Sequence, residues 1–317
     1  MIARAARFSL VVLGGVTAFL ASPLVAQHDG PFRIAESGRS YPTLAEAVAA
    51  IDGGEGTILI APGSYRMCAV QAAGRITYRA AAPGKVIFEG VACEGKAALV
   101  LRGRSARIEG LVFRGISVPD ANGSGIRIEQ GDLAVSNAMF LDSEEGILSA
   151  DDPGATISID RSTFAGLGRC DRGLSCAHSI YIGHYGALSV TASRFERGRG
   201  GHYVKSRAPI VTVSDSSFDD SAGRATNYMI DLPAGATGTI VRNIFVQGRD
   251  KENYSALIAV AAEARENSSA GLAIADNIAT IAPGVERRTT FVVDWSHEAL
   301  KIGANRLGPG IANFATR

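Results

Sequence analysis

The chain has one tryptophan in 317 residues, and aromatic side chains make up only 7% of it. Charge of one sign is also missing: 32 basic side chains face 31 acidic ones, a formal net charge of +1. A polyanion-binding protein needs a basic excess to displace counterions, so histone-like and nonspecific nucleic-acid roles are excluded. Cysteine is scarce, and the four present, Cys68, Cys93, Cys170 and Cys176, include no C-x-x-C pair of the zinc-ribbon kind. Beyond residue 26 there is no apolar run of the ~20 residues that a membrane helix requires, which predicts no permanent anchor. The L-x-x-L-x-L framework of leucine-rich repeats is absent as well.

What is present begins with an export signal. Arg4 and Arg7 precede an apolar run from Phe8 to Ala21, and Ser22-Pro23-Leu24-Val25-Ala26 follows as a helix break and small-residue cleavage site. Residues 1–26 are therefore expected to be removed, leaving a periplasmic or secreted protein. The even cysteine count suits an oxidising compartment, and Cys68/Cys93 and Cys170/Cys176 group as two disulfide pairs 25 and 6 residues apart.

Thirty-seven glycines and 46% hydrophobic residues describe a large core interrupted by many turns. The repeat explains both. Six segments end in phenylalanine at Phe113, Phe140, Phe164, Phe195, Phe218 and Phe245, with spacings of 27, 24, 31, 23 and 27 residues. A degenerate copy without the phenylalanine follows at LAIADNIATI, residues 272–281. Between them lie short strands, GIRIE, GILSA, SIYIG, YVKSR, MIDLP and ALIAV, set off by Gly, Asp, Ser or Pro. Strand-built repeats of this length predict an all-β solenoid, a parallel β-helix whose equivalent residues stack roughly 4.7–4.9 Å apart. The phenylalanines become an internal ladder, Cys68 and Cys93 fall on adjacent coils, and Cys170 and Cys176 pin the loop of the longest unit. A short amphipathic helix, with a Thr43/Glu46 capping box and an apolar face of Leu44, Ala47, Val48 and Ile51, is expected to cover the open end.

The phrase YPTLAEAVAAIDGGEGTILIAPGSYR resembles the opening of pectin-lyase-like, right-handed parallel β-helix proteins, and the resemblance runs from about residue 39 to 282. It implies the fold without fixing an activity, because that superfamily holds lyases, hydrolases, epimerases, phage tail proteins and non-catalytic surface proteins. Residues 27–284 are accordingly read as the β-helix with its N-terminal cap, and residues 285–317 as a C-terminal cap or tail packing along it.

Aligning the inward residues Ile126, Ile147, Ile180, Val204 and Ile230 puts the next residue of each coil outside. That outer column reads Arg127, Leu148, Tyr181, Lys205 and Asp231, with Gly183, Arg207 and Pro233 in a parallel column. Tyr181, Lys205 and Asp231 are then neighbours on one exposed face, with His178, His202 and His184 nearby. Such a face suits an acidic polysaccharide. Cleaving a uronate chain by β-elimination requires neutralisation of its carboxylate, a base for the C5 proton and an acid for the leaving oxygen. HYVKSR resembles the lysine-containing strand of the chondroitinase B and alginate lyase family, which implies a general-base role for Lys205, with Tyr181 and Arg207 assisting. The following coil departs from that family, reading Ile230-Asp231-Leu232-Pro233 where the family has an Arg-His-Gly strand. Arg127, His202, Asp231 and His184 complete the expected substrate-binding set. No cofactor is expected; calcium could be offered Glu144 and Glu145, although no ligand spacing demands it. Asp151-Asp152 superficially resembles the paired aspartates of polygalacturonases but lies in a turn-like SADDPG. The expectation is a monomeric, exported protein that binds and modifies an acidic polysaccharide; the alternative is a non-catalytic glycan-binding or envelope β-helix.

Overall fold

The computed structural model describes residues 1–2, 30–171, 173 and 175–317. Beyond its first two residues, the expected export signal over 1–26 lies outside the described residues, among which no helix is long and apolar enough to cross a membrane. The chain coils through three sheets, A with twelve strands and B and C with ten each. One coil shows the pattern: Asp132–Ser136 in sheet A, Met139–Leu141 in sheet B and Glu145–Ser149 in sheet C. Among the described residues the strands of successive coils pair parallel, and the N-terminal strand Phe32–Ile34 pairs antiparallel with Ser40–Tyr41 and with Glu55–Ile60.

Each run ending in phenylalanine proves to be two strands, not one. The bend between sheets A and B falls two to three residues before the aromatic ring. One residue there is left-handed, such as Asn137 (φ 51°), Arg161 (φ 44°), Ala192 (φ 46°), Asp215 (φ 54°) or Arg242 (φ 56°). Non-glycine residues adopt this conformation at a cost, and the next residue supplies compensation. Ser162, Ser193, Ser216, Asn243, Asn277 and Asn305 form a ladder in which each side-chain oxygen accepts the backbone N–H of the preceding coil. The distances are 3.2, 3.1, 3.0, 3.0, 2.9 and 3.1 Å. The core is therefore polar at one corner and hydrogen-bonded there, as buried donors require.

Immediately inside that corner, Phe113, Phe140, Phe164, Phe195, Phe218 and Phe245 lie fully buried and in register. Their rings stack with centroids 5.1, 4.7, 4.9, 4.8 and 4.9 Å apart. Phe88 extends the stack one coil toward the N-terminus, at 6.0 Å from Phe113. The helix Leu44–Ile51 carries its capping box: Thr43 Oγ1 accepts the Glu46 N–H at 3.2 Å, and Glu46 Oε2 accepts the Thr43 N–H at 3.3 Å. Leu44, Ala47 and Val48 are buried against the first coil. Disulfides join Cys68 to Cys93 and Cys170 to Cys176.

Residues 285–317 differ from the expected cap or tail. Thr289–Asp294 and Ile311–Thr316 continue sheet C, Lys301–Ile302 continues sheet A and Arg306–Leu307 continues sheet B, so the solenoid runs on. The signature changes because the phenylalanine leaves its column. Ala279 pairs with Phe245 in sheet B, and Phe291, from sheet C, fills the vacated space with its ring edge-on to Phe245 at 5.5 Å.

Candidate functional site

Sheet C positions the site. Its strands Ser124–Ile128, Glu145–Ser149, Ile180–Ile182, Val204–Ser206 and Ile230–Leu232 pair so that Arg127 lies beside Leu148, Leu148 beside Tyr181, Tyr181 beside Lys205, and Lys205 beside Asp231. The expected column is the observed one. Its exposure is not: Lys205 is only 7% exposed and Asp231 2%. The face is closed by the segment after strand Ala256–Val260, which folds back on the preceding coil. The Glu263 and Ala264 N–H groups donate to Pro233 O at 3.0 and 2.9 Å, Asn267 N–H donates to Ala234 O at 2.9 Å, and Asn267 Nδ2 donates to Arg207 O at 3.0 Å.

This segment brings in Glu263, which the sequence reading missed. Its two carboxylate oxygens accept hydrogen bonds from Lys205 Nζ and from Arg207 Nη2. Lys205 Nζ also donates to Asp231 Oδ2 at 3.0 Å and lies 5.9 Å from the Tyr181 ring centroid. Arg207 Nε donates to Tyr181 Oη at 3.1 Å. Two cations and two carboxylates thus alternate in one cluster with a phenol at its edge. Asp231 Oδ1 is buried with no hydrogen-bond partner.

The electrostatics follow from enclosure and pairing. Burial opposes charge on Lys205, but the Asp231 charge and the hydrogen bonds that Lys205 donates to both carboxylates outweigh it and hold the lysine as an ammonium, above its usual range. Burial pushes the Asp231 carboxyl up, with Lys205 pulling against it. For Glu263, burial would raise the carboxyl, and the bonds from Lys205 and Arg207 bring it net below the ordinary value.

Two histidines stand behind this cluster. His202 Nε2 is 3.5 Å from Asp231 Oδ2, and the His202 backbone N–H donates to His178 Nδ1 at 3.0 Å, which assigns the His178 proton to Nε2. Burial, then the Lys205 charge, lowers His178 to about 3. Burial, then His178, Lys205 and Lys251, takes His202 well below its usual range, so both rings are neutral. His178 meets the Tyr181 ring edge-on at 5.4 Å. His184 is apart from them, at the rim: its Nε2 is 2.9 Å from Glu266 Oε2 and its Nδ1 3.2 Å from Asp151 Oδ1. Those partners, Glu266 foremost, raise its pKa over the opposing effect of burial.

The remaining candidates separate from the cluster. Arg127 stands three strands from Lys205 in sheet C, with Glu129 Oε1 3.8 Å from its Nε. The Glu144 and Glu145 carboxylates have different surroundings. The Glu144 carboxylate accepts from the Val118 and Gly123 N–H groups, Ser117 and Arg169, while Glu145 is fully enclosed and burial raises its carboxyl far above the usual range. Among the described residues, Cys170, Cys176 and Glu252 are the one group of three such side chains close enough to share an ion, and both sulfurs are held in a disulfide. Asp151 precedes and Asp152 begins the strand Asp152–Asp160, so the expected turn extends no further than Asp151; Asp151 Oδ1 accepts the His184 N–H at 2.8 Å and Asp152 Oδ2 the Gly131 N–H at 2.7 Å.

No protein-family model matches the chain, and no curated protein matches it. Among solved structures it is similar to the PL6-family alginate lyase AlyGC, at 14% identity and a TM-score of 0.46, over 82% of this chain and 35% of that one. It is similar to ORF18 of Geobacillus virus E2, at 12% identity and a TM-score of 0.49, over 86% of this chain and 56% of that one. It is also similar to the Streptococcus pneumoniae surface protein and adhesin PfbA, at 9% identity and a TM-score of 0.25, over 86% and 94%. The chain therefore spans about a third of the lyase's length and just over half of the viral protein's. Its own strand register, coil upon coil, makes it a parallel β-helix.

Proposed function

We propose that this is an exported, monomeric β-helix protein that binds an acidic polysaccharide over Tyr181, Lys205 and Arg207 and cleaves it by β-elimination without a cofactor. One observation carries the reading: the Glu263 carboxylate bridges Lys205 and Arg207 from a half-exposed side chain, as a uronate carboxylate would. With Glu263 in place the two cations are balanced by two carboxylates. With Glu263 swung out, the cluster carries one positive charge in excess, and a single uronate restores neutrality. Lys205 and Arg207 are suited to clamp a carboxylate because both present N–H donors to the same group. Clamping withdraws charge from the acid and favours loss of the C5 proton.

The resemblance to the lyase strand casts Lys205 as the base. Asp231 Oδ2 remains a partner for Lys205 Nζ when Glu263 leaves, so in this reading Lys205 is the clamp. Tyr181, whose oxygen accepts from the Arg207 guanidinium, is the group that exchanges the proton. The Tyr181 oxygen takes the C5 proton as its own hydroxyl proton passes to the leaving oxygen, the C5–H electrons form the C4–C5 double bond, and the C4–O bond breaks. Disulfides at Cys68–Cys93 and Cys170–Cys176 support a periplasmic or secreted location.

The second reading, a non-catalytic glycan-binding or envelope β-helix, is favoured by one fact: Lys205 is nearly enclosed and fully paired within its own chain. The purified protein, incubated with a panel of uronate polymers, separates the two through the ultraviolet absorbance of the unsaturated product. Product that forms with the wild type and with the exposed Lys85→Ala variant, but not with Tyr181→Phe or Lys205→Ala, supports the lyase. Retention on a uronate column without product from any polymer supports the binder.

A further inference from the structure

Three strands before Lys205 along the same outward column, a second polar site opens on sheet C. A cavity of about 190 Å³ is lined by Gly95, Lys96, Asp120, Asn122, Arg127 and Leu148. Arg127 contributes to that lining, and its Nε is enclosed with no hydrogen-bond partner. A buried N–H on a cation is costly to leave without an acceptor, and such groups in a folded protein call for an explanation. Neither nearby acid supplies one: the buried Glu145 carboxyl feels the Arg127 charge but has no hydrogen-bond partner itself, and Glu129 is engaged elsewhere. Glu129 Oε1 is 3.8 Å away and is already bound by Lys96 Nζ at 2.7 Å, while Glu129 Oε2 takes Arg102.

The lining is chemically mixed in a useful way. Arg127 offers a directed donor for a carboxylate, Asp120 and Asn122 offer an acceptor and an amide for hydroxyl groups, and Leu148 gives an apolar wall for a ring face. A simple anion would be met by the opposing charge of Asp120. A sugar acid would use all four. We infer that this cavity is a second carboxylate subsite, which takes a uronate unit of the same polysaccharide chain that reaches Lys205 and Arg207.

The spacing fits an extended chain laid along the solenoid axis. Three strand steps separate Arg127 from Lys205, about 14–15 Å at roughly 4.7–4.9 Å each. An extended pyranose chain advances by nearly one such step per sugar, so the two carboxylates belong to units a few residues apart. Occupation of both subsites then sets a minimum length for tight binding. This inference rests on the uronate reading of the Lys205 cluster, and its test keeps the two apart.

Saturated uronate dimers, tetramers and hexamers are titrated calorimetrically into the wild type, Arg127→Gln, Asn122→Ala and Lys205→Met, each shown to be folded by its thermal melt. The wild type is expected to bind hexamer at least about ten-fold more tightly than dimer, and Arg127→Gln to lose that gain while binding dimer as the wild type does. Asn122→Ala, at a turn residue outside every strand, is expected to lose part of the same gain. If Arg127→Gln keeps the full preference for hexamer while Lys205→Met loses dimer binding, the subsite is refuted and the Lys205 reading stands. If Arg127→Gln loses it while Lys205→Met binds dimer as the wild type does, the subsite stands and the Lys205 reading falls. No binding of any length by the wild type overturns both.

Discussion

Removing the Glu263 carboxylate ought to strengthen uronate binding while costing the fold little. Glu263 is 45% exposed, so solvent screens its two ion pairs, although Lys205 and Arg207 are themselves mostly enclosed. Each pair is then worth up to about 1 kcal/mol, and a bound uronate no longer has to break them in Glu263→Ala. A gain of about 1–2 kcal/mol corresponds to affinity about five- to thirty-fold higher. Asp231→Ala provides the contrast. At 2% exposure its removal leaves an enclosed ammonium with one half-exposed partner, at a cost of about 3–5 kcal/mol of stability. Calorimetric titration with a uronate hexamer and urea unfolding followed by circular dichroism measure both quantities. The expected order is opposite in the two assays: Glu263→Ala binds more tightly at nearly wild-type stability, and Asp231→Ala is strongly destabilised. Weaker or unchanged binding by Glu263→Ala, in a wild type that binds, would refute the idea that Glu263 occupies the substrate carboxylate's place.

Asn243→Ala removes two side-chain donations, to Val213 O at 2.9 Å and Asn277 Oδ1 at 3.1 Å, and orphans the buried Ser216 N–H. It should cost about 2–5 kcal/mol in urea unfolding, against about 1 for the half-exposed Asn305→Ala, and equal costs would speak against a cooperative ladder. Breaking Cys68–Cys93, which closes a separation of 25 residues, should remove ~3–4 kcal/mol in a melt while leaving any uronate affinity nearly unchanged. His184, raised by Glu266 and Asp151, stabilises the segment that carries Glu263 in full below the unfolded histidine range and loses that effect as pH rises through its raised value. Hydrogen exchange at residues 263–268 should therefore quicken with pH beyond its intrinsic rate, and His184→Gln should abolish the excess. The depressed pKa values of His178 and His202 act in the other direction. Global stability should fall as pH drops below the usual histidine range toward about 3, less steeply in His178→Gln.

The column Arg127, Leu148, Tyr181, Lys205, Asp231 was legible in the sequence because coil register is periodic. Parallel strands lock each residue to its equivalent one coil away, so aligning Ile126, Ile147, Ile180, Val204 and Ile230 fixed the neighbours. The bend between sheets A and B was hidden, because alternation of apolar and polar residues continues through a left-handed residue such as Arg161 or Ala192 without a glycine to mark it. A signal was present nonetheless: Ser162, Ser193, Ser216 and Asn243 stand two residues before their phenylalanines, a spacing that hydrophobic pattern alone does not weigh. The last coil was missed because Phe291 reaches the stack from sheet C, one coil and one strand after Phe245, and no ring occupies the expected column at Ala279.

Glu263 could not be read at all, and the reason bears on the chemistry. Strand residues repeat because hydrogen bonds impose one register on all coils, whereas the turn after Ala256–Val260 answers only to the surface on which it folds. The strand column supplies the charges, and the aperiodic turn decides whether they meet solvent. The same division applies at Arg127, whose position in the column is periodic while Asp120 and Asn122 come from a turn of their own. In this solenoid the repeats therefore specify where along the axis the charged side chains stand, and the turns specify which of those positions is open. A transplant of residues 261–268 into a different turn, with every strand untouched, should accordingly expose Lys205 and change uronate affinity while leaving the solenoid's circular dichroism intact. A collapse of the strand signal instead would show that turn and column are one structural unit and that this separation of roles is wrong.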